Sequence, residues 1–568
     1  MGYGATRSLE RVAAALGALP AAPIVFEAAQ DVPHGGVLLA LPALLTLGLL
    51  SYSEPLYKLP PGFYGLTSIL LVLALLALAR IPSLEQMRYE SPGEWGTLLG
   101  LDRIPEVRTL REKLKLLCAE PGRAARWNAA LAETWMAGDT PESGMAFYID
   151  GHVRVYHGDV TKLPRHYVPR ERFSLRATVD YWINAMDGQP FFYVNKAVDH
   201  GLIEALRTEI LPWLREHAQI SPEHQARMDA DPRVPRFTVV FDREGYSPDL
   251  FLELEKERIA ALTYHRYPQG DWPVEEFQLQ AVQLRNGETL PMKLAEREVH
   301  LGRRPGVMAR EVRKLAEDGH QVSVVSTNRT GDAAAQAATL MARWSQENFF
   351  KYMRQHFGLD ALVQYGTEEI PATVTVLNPQ WRALNSEVRK QHGELKRCRE
   401  RQQVLTVNEP LSEPVMEKYQ QEQGKIQERV QQIEGKLAEL KQQRKALPRQ
   451  IPVKDLPEEE QFTRLRMERK QFLDTIKMIA YRAETAMAVT LREKMARSDD
   501  ARSLLRQIYQ TEVDLIPNIG EKTLLVRLHH LTQGAHDEAV RFLCEELTAT
   551  ETVFPGTDLR VVYKLGSD

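Results

Sequence analysis

LMARWSQENFFKYMR, residues 340–354, decides how the rest of the chain is read. At helical period, Leu340, Arg343, Glu347 and Arg354 recur at spacings of three, four and seven and share roughly one face. Trp344, Phe349, Phe350, Tyr352 and Met353 are interleaved with them, an apolar load large enough to dock the helix on a sheet. A carboxylate flanked by two arginines on a packed helix has two readings. One is a surface ion pair, Arg343 with Glu347 at i,i+4, worth only about 0.2–0.5 kcal/mol. The other is a functional acid, and two aspartates at the ends of apolar strands upstream give that reading weight.

Those strands set the expected fold. Met145–Asp150 (MAFYID) and His152–His157 (HVRVYH) read as two strands joined tightly at Gly151, and Phe191–Asn195 (FFYVN) as a third. A helix follows over His200–His217, with Leu202, Leu206, Ile210 and Leu214 as its buried stripe and Pro212 as a point where it kinks or ends. Phe237–Asp242 (FTVVFD) is short and almost wholly apolar, the kind of strand buried on both faces of a mixed sheet. Strand, strand, strand, helix, strand is the opening order of a ribonuclease H-like fold, in which the first and fourth strands are neighbours. An α/β core is therefore expected over residues 141–258 and 320–380, with Asp150 beside Asp242. Residues 259–319 read as a β-rich insertion, because IAALTY, FQLQAVQL and REVHL alternate and Asn286-Gly287 suits a hairpin turn. The sheet resumes at Gln321–Thr327 (QVSVVST), ahead of the Glu347 helix.

The flanks are helical in pattern. Residues 1–85 read as an apolar helical domain; its start makes a poor signal peptide. Its apolar runs Gly36–Leu50 and Leu66–Ala79 fall short of the roughly 20 residues that span a bilayer, so buried helices are expected, with a membrane hairpin as the other reading. Residues 86–140 read as a helix-turn-helix-like segment: Val107, Leu110, Leu114 and Leu117 form one side, and Arg108 and Arg111 lie off it as candidate DNA contacts. An ordinary helical hairpin with solvated basic residues fits that pattern equally well. Over 381–450, Met416, Tyr419, Gln423, Ile426, Val430 and Ile433 continue an a/d seam, and Leu384, Val388 and Leu395 start a similar one. An antiparallel coiled-coil hairpin is the simplest reading, an intermolecular coiled coil the alternative. Residues 451–568 read as a helical and mixed region that opens on a basic amphipathic helix, Arg464–Met495.

Cys118, Cys398 and Cys544 lie far apart, which excludes a disulfide framework or zinc site by spacing and fits a reducing cytoplasm. The net charge of −4 conceals local asymmetry and leaves a nucleic-acid partner open. Three carboxylates then stand where one fold converges them: Asp150, Asp242 and Glu347. Phosphodiester chemistry uses two divalent metals about 4 Å apart, held by oxygen ligands. One carboxylate bridging both ions with one on each side is the smallest all-protein arrangement, so these acids are expected as both catalytic residues and metal ligands. Arg343 and Arg354 are then expected on DNA phosphates. His152, Arg154, Arg243, Asn328 and Arg329 lie near these acids, with core or surface roles as alternatives, and Trp344 reads as core before stacking platform.

The sequence resembles the bacterial insertion-sequence DDE transposases, in the group whose third-acid helix reads Tyr-(2)-Arg-(3)-Glu-(6)-Lys. Here the motif is Leu340-(2)-Arg343-(3)-Glu347-(6)-Arg354, with the tyrosine replaced and the last lysine exchanged for arginine, which keeps the charge and changes its geometry. FYIDGH around Asp150 and VVFDREGYS around Asp242 look like the group's first- and second-acid motifs, and the match covers roughly Met145–Gly358. The resemblance implies a nucleoid-associated enzyme of the cytoplasm, acting as a homodimer on double-stranded DNA. It would bind terminal inverted repeats, cut 3′ ends by hydrolysis with magnesium or manganese, and join them to target DNA by transesterification. Two competing readings remain: a transposase-derived DNA-binding or regulatory protein without mobility, and a membrane-associated structural protein.

Overall fold

FTVVF, the most apolar of the short strands, takes a central place in the larger sheet, because only a strand covered on both faces can bury such a run. The computed structural model describes all residues except 1–5, 139–144, 159–160, 169–170, 197, 284–288, 303–305, 331, 342–343, 362–365, 372, 405–412, 496, 532–533 and 567–568. They fall into two units, one of Met1–Tyr156, Ala177–Tyr365 and Arg466–Asp568, the other of His157–Arg176 and Gly366–Leu465.

The sheet of the first unit is built from β1 (Ala146–Val155), β2 (Phe173–Asn184, from Ala177 on), β3 (Pro190–Lys196), β4 (Phe237–Phe241), β5 (Ile259–Tyr264), β6 (Gln278–Gln283), β7 (Thr289–Leu301), β8 (Val307–Leu315) and β9 (Gln321–Ser326). Their order is β3-β2-β1-β4-β5-β9-β8-β7-β6. β1, β4 and β5 run parallel, with Ile149 opposite Phe241 and Val240 opposite Leu262; the remaining pairings are antiparallel. Side chains alternate between faces. Phe147, Ile149, Val239 and Phe241 enter the main core, whereas Tyr148, Val240, Leu262 and Val324 form a separate cluster with Leu340.

Four features differ from the sequence reading. MAFYID and HVRVYH are one continuous strand, and Gly151 sits within it opposite Tyr181, whose ring would lie 3.1 Å from an added Cβ. The second strand is Phe173–Asn184, a stretch to which the sequence reading gives no strand, since it carries the polar Ser174, Arg176, Thr178 and Asp180; Asp180 is fully buried and paired with Arg154. IAALTY is not insertion but β5, parallel to β4, so the insertion begins after Tyr264, and β9 is its last strand rather than the core's fifth. Residues 1–85 are not all helical, since Ala29–Val32 is a strand paired with Val513–Asn518. The Asn286-Gly287 turn lies outside the described residues.

Helices cover both faces. α1 (Leu66–Leu78) is apolar all round and almost wholly buried, packed against the long helix of the C-terminal region. Among the described residues no helix is long and apolar enough to cross a membrane. The helix read at 200–217 contains a π-helical turn, Leu206–Ile210, just before Pro212, which accommodates the missing proline N–H without ending the helix. α2 (Pro248–Lys256) joins β4 to β5. After β9 come α3 (Ala333–Met341) and α4 (Trp344–Phe357), and then, in the C-terminal region, α5 (Glu468–Arg492).

α5 carries charges into the core. Arg154 of β1 pairs with Asp180 of β2 and with Asp474 of α5 at 3.0 Å, and Lys470 reaches Asp474 at 2.5 Å. The other unit holds two helices, Pro379–Val404 and Glu413–Ala446, packed antiparallel through Val388, Leu395, Ile433 and Leu437.

Removing one partner from a buried ion pair leaves an uncompensated charge and costs about 3–5 kcal/mol. Asp474→Ala is expected to destabilise the chain by that order, read as a lowered midpoint of thermal unfolding. An unchanged midpoint would mean that Arg154 finds another counter-charge.

Candidate active site

Asp150 and Asp242 follow Ile149 and Phe241, which are partners in the parallel β1/β4 register, so the two aspartates stand side by side on adjacent strands. By alternation they lie on the face of Tyr148 and Val240, the face that receives Leu340 of α3. Both are half-buried. Asp242 ends its strand and caps the turn Arg243–Gly245, accepting a hydrogen bond from the Glu244 N–H at 2.8 Å. Its carbonyl accepts from Thr263 Oγ1 of β5 at 2.9 Å, which ties the strand end down.

α4 crosses the same face. Gln346 donates through Nε2 to the carbonyls of Tyr148 and Trp182, each at 3.2 Å, and to Asn184 Oδ1 at 2.9 Å. One turn on, Phe350 stacks on His152 with ring centroids 5.1 Å apart, and Phe349 packs on Trp182. Glu347 lies between these anchors in the first helical turn and is exposed. Gly188 permits this docking: its φ is +89°, and an added Cβ would stand 2.7 Å from the Ser345 carbonyl.

The remaining expected residues divide. Arg354 is exposed in the last turn of α4. Arg343 lies outside the described residues. Arg108 and Arg111 are on the outside of the helix Val107–Leu117, whose buried stripe is the one read from sequence; Arg108 pairs with Glu112 at 3.4 Å and Arg111 with Glu85. Arg154 is fully buried in the ion-pair network and does not face solvent. Leu340, where the DDE group has tyrosine, is a buried anchor under Tyr148, Val240 and Leu262.

Two further carboxylates stand at these strand ends and were not singled out in the sequence. Asp199 accepts from Tyr181 Oη at 2.7 Å and from the Gly201 N–H at 2.8 Å, and Glu244 accepts from the Leu202 N–H at 3.3 Å. Glu244 is exposed as a residue, yet its carboxyl tip is turned against the start of the helix at Leu202. Burial there pushes the carboxyl above its ordinary range, the negative charges of Asp242, Asp199 and Asp150 push the same way, and the Leu202 N–H opposes them. A local signal existed: Glu244 is two residues past Asp242, and Asp199 precedes the helix-opening Gly201.

Among the described residues the trio of ligand-type groups whose atoms all lie within 4.8 Å of one another is Asp31, Asp514 and His529. Arg527 bonds Asp514 at 2.7 Å and the Asp31 N–H donates to it at 3.0 Å, which accounts for that cluster as an ion-pair group. Asp150, Asp242 and Glu347 are thus not drawn into a single-ion cage. A pair of ions bridged by one acid does not require such closeness of the outer two.

A family model described as "Transposase protein" matches residues 2–567, and the chain belongs to this family of transposases. No curated protein matches the chain.

His152 is a titratable group against which α4 docks, through its stack on Phe350, and its Nε2 also lies 2.6 Å from Asp360. Burial holds its imidazole below the usual range, against the opposing pull of Asp360. The unfolded chain therefore takes up a proton that the folded chain resists, and stability is lost as pH falls below about 6.5 and through the lowered folded value. The thermal midpoint is expected to fall more steeply between pH 7 and 5 in the wild type than in His152→Gln. Equal slopes in unfolding scans across that range would contradict this role.

Proposed function

We propose that this transposase is a DDE enzyme with a ribonuclease H-like core, using Asp150, Asp242 and Glu347 as its acids. The observation that carries the reading is the pairing of β1 with β4, which sets Asp150 beside Asp242 beneath the helix of Glu347. The strand order β3-β2-β1-β4-β5 with β2 antiparallel to β1 supports the same core, as does an insertion of β6–β9 between β5 and α3.

The donor set suits hard divalent cations such as magnesium or manganese, since it offers only carboxylate oxygens. Burial is the main cause that raises the Glu244 carboxyl, and the neighbouring charges of Asp242, Asp199 and Asp150, which add to it, are what a cation at these strand ends would offset. Asp150, Asp242 and Glu347 would hold two such ions, which when bound lower the pKa of a water and offset charge on the phosphate.

The chain's own residues supply position. The Glu244 N–H and Thr263 fix Asp242, and Gln346 and Phe350 fix the height of Glu347 over β1. A fixed carboxylate loses little freedom when the reacting phosphate arrives, which is where orientation contributes to rate. Arg354, and Arg343 on the same segment, would grip phosphates flanking the cut, with Arg108 and Arg111 as more distant contacts. The reaction proposed is hydrolysis at a 3′ end followed by attack of the freed 3′ hydroxyl on target DNA, by a homodimer assembled on inverted-repeat ends in the nucleoid.

Asp242→Asn and Glu347→Gln are each expected to reduce cleavage of a duplex carrying the element's own end by more than about 100-fold, while leaving duplex binding intact. The readout is strand cleavage on denaturing gels with magnesium or manganese, beside binding in EDTA. Cleavage surviving either substitution would remove that residue from the site. A wild-type chain that binds without cutting would favour a regulatory protein.

A further inference from the structure

The helix Pro379–Val404 divides its charges by face. It carries 7 Lys and Arg residues against 3 Glu, an imbalance that the net charge of the whole chain conceals. Two of those acids turn inward to the partner helix: Glu394 meets Arg429 at 2.6 Å and Glu387 meets Lys436 at 3.8 Å. The seam itself is Val388, Gln391 and Leu395, all buried. About a third of a turn round the helix from that seam, Arg382, Arg389 and Lys396 recur every seven residues, all exposed. At 100° and 1.5 Å per residue they lie within an arc of about 40° along about 21 Å of helix, with exposed Arg397 about 60° beyond the edge of that arc. Glu400 answers Lys396 at 3.6 Å, whereas Arg382 and Arg389 have no acid within ion-pair reach among the described residues.

Between these cations the outer face is small. Ser386 and Gly393 occupy the intervening turns, and an added Cβ at Gly393 would meet nothing within 4 Å. A glycine in a helix interior costs about 1 kcal/mol relative to alanine, and here it leaves the surface between the cations unobstructed. Cations about two turns apart with small residues between them suit the close approach of another charged cylinder. An anionic bilayer would call for large apolar side chains among the cations, and this face has none.

We propose that the outer face of Pro379–Val404 is a contact surface for the phosphate backbone of duplex DNA, independent of base sequence. The family supplies only the identity of the polyanion; the assignment of metal-binding acids is not used. Because the side chains are long and exposed, the affinity is electrostatic and comes from release of condensed counterions.

The test uses the full chain with Arg382→Gln, Arg389→Gln, Lys396→Gln and Arg397→Gln combined. Fluorescence anisotropy of a labelled random-sequence duplex is followed across a salt series in EDTA, so that a failure of the cleavage chemistry does not enter. Each phosphate contact contributes about 0.9 to the slope of log K against log salt, so removing four is expected to lower the slope by about 3.6 and low-salt affinity by tenfold or more. Lys441→Gln with Lys445→Gln, on the partner helix, should leave both values unchanged. Wild-type slope and affinity in the fourfold variant would overturn the proposal. So would a variant that keeps DNA binding but loses binding to phosphatidylserine-containing vesicles, which would assign the face to a membrane.

Discussion

Arg154 is sealed from water inside the sheet, and its charge is balanced by Asp180 on the neighbouring strand and by Asp474 on a helix more than three hundred residues away in sequence. Ionised groups are costly to bury, and the cost is offset only when partners and hydrogen bonds are complete. Without α5, Arg154 would keep Asp180 and lose Asp474, one of its two carboxylates. This constraint makes the C-terminal region part of the core rather than an appendage. α5 in turn provides the surface on which the apolar helix Leu66–Leu78 is buried. Covering a large aliphatic side chain is worth about 1.5–3 kcal/mol, and this helix covers several. The apolar N-terminal runs are therefore explained by burial against a C-terminal helix, and they form no core of their own.

The same alternation of side chains that sends Arg154 toward α5 fixes the chemistry of the strand. Ile149 and Phe241 face the main core, so Asp150 and Asp242 face the side on which Leu340 and α4 are laid. A slip of one residue in the β1/β4 register would separate the two acids and expose the apolar pair. Fold and candidate site are thus specified by one set of contacts, and a sheet that buries its core correctly has little freedom to misplace the aspartates.

Legibility followed this logic. FTVVF is readable as a buried strand because a strand covered on both faces has room for little besides apolar residues and Thr238 is its one polar side chain, and the stripe Val107, Leu110, Leu114 and Leu117 is readable because a helix at the surface must segregate its faces. Phe173–Asn184 is not, because the groups that buried Arg154 requires make it look solvated. IAALTY reads as part of the insertion because six apolar-leaning residues carry no record of whether the next strand is parallel or antiparallel. Asp199 and Glu244 escaped notice for another reason. Asp199 is brought to Asp150 only by the fold, across a helix start, and Glu244, though two residues past Asp242, reads as a turn residue until the helix start at Leu202 is laid against its carboxyl.

α4 shows why long-range contacts matter to the candidate site. Tyr352, on the side of α4 away from β1, donates to Glu484 of α5, and Glu484 also receives Arg80 at 2.6 Å and Arg502 at 3.1 Å. Glu484 is fully buried, so each of these cations helps to balance it. Arg80 directly follows the apolar N-terminal helix region, and Arg502 opens the helix Ala501–Gln510. The height of Glu347 above the sheet is therefore set from two directions: from β1 and β2 by Gln346, Phe349 and Phe350, and from the opposite side by a carboxylate that gathers residues from both ends of the chain. An exposed acid on a helix would ordinarily be free to drift with thermal motion of its element. Here the helix is clamped on both faces, and among its described residues those left to solvent are Glu347, Asn348, Lys351, Arg354 and Gln355, on one edge.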